Sequence, residues 1–190
     1  ASNYRLAGSD TANGSNGVIT RAALTLAAVG SSKTYDGTTG SAALPSATGL
    51  QGTDAVAGLV QTFDNRNVGS GKTLTVQSGY VVNDGNGGNN YTITTLGHSG
   101  GAITPAALIL AAASVSKTYD AGLSADASPL VTGLHGADAV TGLTQKFLDR
   151  HAGSDKSLQI NGGYLVNDGN GGNNYLVSID NSATGTITPA

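Results

Sequence analysis

The chain repeats itself. Lys33-Thr34-Tyr35-Asp36 returns as Lys117-Thr118-Tyr119-Asp120, and the nine residues NDGNGGNNY from Asn83 to Tyr91 return unchanged from Asn167 to Tyr175. Ile103-Thr104-Pro105 returns as Ile187-Thr188-Pro189. Every pair is offset by 84 residues, and 44 of the 84 positions from Arg21 to Thr104 equal their partners in Pro105 to Thr188. Identity at this level without an insertion requires one supersecondary unit, used twice, in which neighbours stack. Val18-Ile19-Thr20 stands in the same register before Ala102-Ile103-Thr104, and Asn3-Tyr4 resembles the close of an earlier NNY element. The expected division is a tail of a preceding repeat at 1–20, module 1 at 21–104 and module 2 at 105–190. A parent protein with at least four tandem units follows as an expectation.

The residue types point to strands and loops. All twelve acids are Asp, and there are 29 glycines. Asp serves turns and caps, whereas Glu, the helix-favouring acid, is missing. Leu24 and Leu26 flank Thr25; Leu74 and Val76 alternate with Thr73, Thr75 and Gln77; Tyr91, Ile93 and Thr95 alternate with Thr92 and Thr94. Alternation of this kind marks half-buried strands. In module 1 it predicts strands near 22–29, 31–35, 59–64, 72–77, 79–83, 90–96 and 101–104. Gln51 to Leu59 reads as one short helical turn with Thr53 or Asp54 as its N-cap. The predicted class is all-β: two tandem, small antiparallel β-sandwich or β-grasp-like modules, end to end, with at most a short helical turn in each.

A module of this size has a radius of gyration of ~12 Å and is marginally stable alone. The chain has no cysteine, so neither disulfides nor thiolate metal sites are open to it. The expectation is of separate beads, supported by neighbour contacts and stiffened at Pro105, which fixes φ and lacks an N–H. With 11% charged residues and a net charge of −3, nothing marks a nucleic-acid partner or an anionic membrane surface. No apolar run approaches the ~20 residues of a membrane helix. The opening Ala1-Ser2-Asn3-Tyr4 lacks the features of a signal peptide, and the chain reads as a piece of a longer exported protein.

Ser32-Lys33-Thr34-Tyr35-Asp36-Gly37, Gly52-Thr53-Asp54-Ala55-Val56, Asn67-Val68-Gly69-Ser70-Gly71-Lys72, Asn89-Asn90-Tyr91 and Ile103-Thr104-Pro105-Ala106 follow one another in an ordered set. Together they resemble the YDG-type repeats, related to MBG modules, of large filamentous-haemagglutinin-like bacterial exoproteins. The resemblance implies a surface or matrix adhesin, exported by two-partner secretion and tied to aggregation or biofilm. Ala121 departs from the pattern where the first copy has Gly37. That exchange opens a different path for the turn after Asp120.

Several residues offer chemistry. In NDGNGGNNY, Asp84, Asn86 and Asn89, with Asp168, Asn170 and Asn173 in the second copy, present oxygens at the short spacing of a calcium loop. One carboxylate per loop is poor for an ion that takes six to eight oxygens. The alternative is a hairpin connection in which Asp-Gly and Gly-Gly supply positive φ and the Asn side chains bond local backbone. Tyr80, Asn90, Tyr164 and Asn174 are the candidates for glycan contact, through ring stacking and amide hydrogen bonds. Tyr35, Tyr80 and Tyr91 and their copies also suit a core with hydroxyls at its rim, and Phe63 and Phe147 belong inside. Lys33 with Asp36, and Arg66 with Lys72, recur as ordinary ion-pairing and strand-edge charges in preference to an isopeptide bond. His98, His135 and His151 fall at unrelated positions of the repeat, so a catalytic histidine is not a property of the module.

The expected function is therefore non-enzymatic: structural stalk or spacer repeats of a large bacterial cell-surface or biofilm-matrix adhesin, secreted to the surface or extracellular matrix. Its expected partners are neighbouring repeats of the same chain. One alternative is an array that holds exopolysaccharide or surface glycans by avidity. The other is an extracellular linker rigidified by calcium.

Overall fold

The computed structural model describes residues 19–190, and the proposed tail at 1–20 falls outside them except for Ile19 and Thr20. Module 1 contains β1 (Ala22–Ala27), β2 (Ser32–Thr34), β3 (Ser46–Thr48), β4 (Ala55–Ala57), β5 (Gln61–Phe63), β6 (Gly69–Val76), β7 (Val81–Asn83), β8 (Tyr91–Leu96) and β9 (His98–Thr104). Module 2 follows as β10 (Ala106–Ala111), β11 (Ser116–Thr118), β12 (Ser124–Ala125), β13 (Leu130–Thr132), β14 (Ala139–Thr141), β15 (Gln145–Phe147), β16 (Gly153–Ile160), β17 (Leu165–Asn167), β18 (Tyr175–Asp180) and β19 (Thr184–Thr188). No helix occurs among the described residues. The protein is all-β.

The short helical turn expected at Gln51–Leu59 is not formed. Gly52 takes a positive φ of 57°, Asp54 N–H donates to Gln51 O, and the chain enters β4 at Ala55. The alternation Ala55-Val56-Ala57 finds a partner in β7, with Val56 opposite Val82. Sheet pairing therefore decides this segment, as it often does where local propensity is weak.

Each module has three sheets. In module 1 their orders are β3-β1-β8, β2-β9-β6-β5 and β4-β7; in module 2 they are β13-β10-β18, β11-β19-β16-β15-β12 and β14-β17. Two of the pairings are parallel, unlike the antiparallel arrangement expected. β1 runs parallel to β8 with Ala22 opposite Tyr91, and β2 runs parallel to β9 with Ser32 opposite Ala102. Ala28 N–H to Leu96 O and Ala102 N–H to Ser31 O carry the ladder across the gap between the two sheets. The first and last strands of the module thus form one parallel ribbon along its length. Module 2 repeats this with β10/β18 and β11/β19.

At the sheet-to-sheet crossing a side chain completes the backbone pairing. Buried Gln61 accepts from Val29 N–H at 2.8 Å and donates to Val29 O at 2.9 Å; Gln145 does the same for Ala113 at 2.7 Å in both directions. Gly133, at φ +103°, has a place no other residue could take, because a Cβ there would lie 2.3 Å from Ala107 O.

The apolar side chains form three cores in series. The first contains Leu24, Leu26, Val82 and Tyr91. The second joins Tyr35, Phe63, Leu74 and Ile103 of module 1 to Leu108, Leu110 and Tyr175 of module 2. The third contains Phe147, Leu158, Ile160 and Ile187. The expectation of separate beads is corrected here: the middle core straddles Pro105. The reason lies in the alternation of β10, whose inward residues Leu108 and Leu110 continue the apolar line from Ile103 in β9.

Candidate functional site

The most conserved element between the two copies is built around one carboxylate. Asp84 Oδ1 accepts from Asn86 N–H at 2.9 Å and Gly88 N–H at 2.8 Å, and Oδ2 accepts from Asn90 N–H at 3.1 Å. Asp168 holds Asn170, Gly172 and Asn174 in the same way at 2.7, 2.8 and 3.0 Å. Gly85, Gly87 and Gly88 all adopt positive φ, which lets the backbone wrap the acid. Asn89 and Asn173 each bond the local carbonyl of Asn86 or Asn170 at 2.7 Å. The Gly88 amide, with those of Asn86 and Asn90, holds the Asp84 carboxyl below the usual carboxylate range. Burial pushes Asp168 up, but the Gly172, Asn170 and Asn174 amides outweigh it and leave the group low.

The calcium candidates Asp84, Asn86, Asn89, Asp168, Asn170 and Asn173 are thus brought together, with the carboxylates turned inward onto backbone amides. Among the described residues no group of three or more His, Cys, Asp or Glu side chains is placed to share a cation. The element is not a hairpin between paired strands: it leads from β7, which pairs with β4, to β8, which pairs with β1.

Its second copy sits in the joint between modules. Asn174 is fully buried; its Oδ1 accepts from Val68 N–H of module 1 at 2.9 Å. The carbonyl of Asp168 accepts from Arg66 Nη2 at 2.8 Å. The same Arg66 Nη2 reaches Asp138 Oδ1 at 3.0 Å. Asp138 Oδ2 accepts two phenol hydroxyls, from Tyr35 of module 1 at 2.7 Å and Tyr175 of module 2 at 2.8 Å. The Tyr175 oxygen in turn accepts from His135 N–H at 2.8 Å. The Tyr35 and Tyr175 rings meet edge-on at 5.3 Å, and Arg66 lies 5.9 Å from the Tyr35 ring.

Burial explains the electrostatics. The Asp138 side chain is buried, so its charge is tolerable only with the guanidinium and both hydroxyls in place. Burial and then the hydrogen bond to Asp138 push Tyr175 up to about 12, and they push Tyr35 higher still. Among the described residues no buried side-chain nitrogen or oxygen lacks a partner. The hydrogen bonds of this site run between the two modules.

The glycan candidates fall in different places. Tyr80 and Tyr164 are half-buried against the cores. Each borders a shallow groove that recurs in the two modules, about 360 Å³ beside Tyr80, Val82 and Asn89, and about 450 Å³ beside Tyr164, Val166 and Asn173. Asn90 is exposed, whereas Asn174, consumed by the joint, offers nothing to a sugar.

Lys33 and Lys117 form ion pairs of 2.7 Å with Asp36 and Asp120. Lys72 is buried and meets Asp64 at 3.1 Å and Asn65 at 2.7 Å. Module 2 has Leu148 and Asp149 at those two positions, and Lys156 pairs with Asp149. The acid has moved by one residue and the ion pair has followed it. Sequence reasoning placed these charges at strand edges and the tyrosines in a core. It missed the joint, although Tyr35, Asp54, Arg66 and Tyr91 all recur at the repeat offset.

Fold and joint define a class: tandem all-β modules packed against each other through a shared core and a polar joint. A family model, the YDG domain, matches residues 20–97 and again 104–185. The chain belongs to the YDG domain family. Comparison with curated proteins and with solved structures finds no match.

Proposed function

We propose that these modules are structural, force-bearing spacer repeats of a large bacterial cell-surface or biofilm-matrix adhesin. The observation that carries this reading is the parallel ribbon of β1/β8 and β2/β9. A chain stretched between Ala22 and Thr104 pulls these paired strands past each other. All ladder bonds then carry load together, whereas a peeled hairpin breaks them singly. The joint around Asp138 passes that load to the next ribbon. Repetition of the joint residues in both copies supports the same reading, because a spacer is extended by adding units that fit one another.

Single-molecule pulling tests it. The chain has no cysteine, so attachment points can be engineered cleanly. Stretching from the ends is expected to need a markedly higher unfolding force than stretching between Arg21→Cys and Asn90→Cys, which peels β1 from β8. Equal forces in the two geometries would refute a load-bearing role, since forced unfolding reports the unfolding barrier.

The recurring grooves beside Tyr80 and Tyr164 favour a second reading, a weak glycan-holding array strengthened by avidity. Retention of the chain on immobilised exopolysaccharide, lost on Tyr80→Ala and Tyr164→Ala together, would support it. Absence of retention would remove it.

A further inference from the structure

Among the described residues Asn precedes Gly three times, at Asn86-Gly87, Asn161-Gly162 and Asn170-Gly171. A glycine's backbone nitrogen has no Cβ beside it and its backbone turns freely, so it can reach the side-chain carbonyl carbon of the preceding Asn. The three pairs differ in what restrains them. Asn86 N–H donates to Asp84 at 2.9 Å, and its Nδ2 donates to Asn90 Oδ1 at 2.9 Å. Its carbonyl accepts from Asn89 N–H at 3.2 Å and from Asn89 Nδ2 at 2.7 Å. Asn170 has the same set of bonds. Asn161 follows β16, and its N–H donates to Thr144 O and its Nδ2 to the Thr144 hydroxyl, both at 2.9 Å. Past that point the chain has no such wrapping. Gly162 and Gly163 are exposed, the Gly162 N–H bonds to no described residue, and a Cβ at Gly162 would meet nothing within 4 Å. Ser78 and Gly79, at the same repeat positions of module 1, stay exposed with module 2 packed behind them, so the openness of this turn does not depend on where the sequence stops.

We propose that Asn161-Gly162 is a site of spontaneous deamidation and backbone rearrangement, at a position where module 1, with Gln77-Ser78, is inert. The Gly162 nitrogen gives its proton to hydroxide and bonds to Asn161 Cγ. The Cγ–Nδ2 bond breaks and ammonia leaves, which closes a succinimide ring. Water then opens the ring. Attack at Cγ gives Asp; attack at the backbone carbonyl gives isoaspartate, in which the chain runs through the side chain and is one methylene longer. In the loops of Asn86 and Asn170 the same closure must first break the bonds that wrap Asp84 and Asp168, so it waits on local opening. The product reaches the fold through two groups. A carboxylate cannot donate to the Thr144 hydroxyl, and the added methylene shifts the backbone at the bond from Asn161 N–H to Thr144 O, beside Gln145. Gln145 closes the crossing at Ala113, so rearrangement loosens that crossing in module 2.

Ageing the 190-residue chain in mildly alkaline buffer, followed by peptide mapping with fragmentation, tests it. The expected result is conversion at residue 161 to Asp and isoaspartate, roughly ten-fold or more faster than at Asn86 or Asn170, whose loops react only when open. Labelling by isoaspartyl methyltransferase reads the rearranged product independently. Asn161→Gln and Gly162→Ser install the residues that module 1 carries at the same places, and Gly162 has room for a Cβ, so the fresh variants melt as the unaltered chain does. The first stops the conversion and the second slows it strongly. Amide exchange at Ala113 rises as the unaltered chain ages and does not rise in Asn161→Gln. An intact Asn161 after Asn86 or Asn170 has converted overturns the proposal, as does conversion at 161 that Gly162→Ser leaves at full rate. Unchanged exchange at Ala113 in fully converted chain overturns the consequence drawn for the crossing.

Discussion

Tyr35 and Tyr175, 140 residues apart in the chain and in different modules, donate their hydroxyls to one oxygen of Asp138 at 2.7 and 2.8 Å. That shared acceptor ties the two modules together beside the core that straddles Pro105. The groups that meet there recur in the sequence at the repeat offset, Asp138 as Asp54, Tyr175 as Tyr91, Tyr35 as Tyr119 and Arg66 as Arg150.

Asp138→Ala and Asp54→Ala remove the same residue of the repeat with different results. Asp138 is buried and its loss strands Arg66 and two hydroxyls, a change that costs about 3–5 kcal/mol. Asp54 is half-exposed and loses only the bond from Tyr91, at about 1 kcal/mol. Urea unfolding of the two variants measures the difference; equal losses would contradict the role given to the joint.

The joint is sensitive to alkali. Tyr175 is raised to about 12 from an unfolded value of ~10, so the folded state favours the neutral phenol. Its contribution is complete below pH ~10 and is lost as pH rises from ~10 toward 12. The melting temperature is expected to fall across that window, and tyrosinate absorbance should show Tyr35 and Tyr175 among the late-titrating residues, with Tyr91 also raised by its hydrogen bond to Asp54. Replacing Asp138 by Asn should bring the late titration of Tyr175 down.

Ala121 keeps the positive φ, 62°, that Gly37 has at 79°, so the turn after Asp120 does not take another path. Asp155 at 52° likewise follows Gly71 at 66°. Ala121→Gly relieves the left-handed conformation and is expected to stabilise module 2 by ~1 kcal/mol. Gly133→Ala, which drives a Cβ into Ala107 O, is expected to destabilise it strongly. Thermal melts of the pair test both signs.

Gln145→Leu fills a similar volume but leaves Ala113 N–H and Ala113 O without a partner where two sheets meet. A loss of ~2 kcal/mol or more is expected. Amide exchange at Ala113 should rise with it; unchanged protection would mean that the glutamine is not what holds the crossing.

Much of the fold was legible in the sequence because its strands alternate. β1, β6 and β8 carry apolar residues at alternate positions, Leu24 and Leu26, Leu74 and Val76, and Tyr91 and Ile93, and period 2 is the signature of a strand. β3 and β4 were invisible as three-residue strands of Ser, Ala, Thr and Val, fixed by their partners β1 and β7 and not by their own pattern. The parallel pairing was also hidden, since a strand's residues do not report its neighbour's direction. The joint was half legible. Recurrence flagged Asp54, Arg66 and Tyr35, but nothing local says that Tyr35 should meet an acid 103 residues away in the next module. Asn174 illustrates the cost: an exposed-looking amide in a glycine-rich loop turned out to be the most buried polar side chain of the contact.

The central claim is that the two modules form one rigid unit through the Asp138 joint. Spin labels on Ser78→Cys and Ser182→Cys, both exposed and in different modules, report it directly through their distance distribution. A single narrow distribution is expected, broadened by Asp138→Ala. A broad distribution in the otherwise unaltered chain would mean that the modules move independently and that the joint does not hold them.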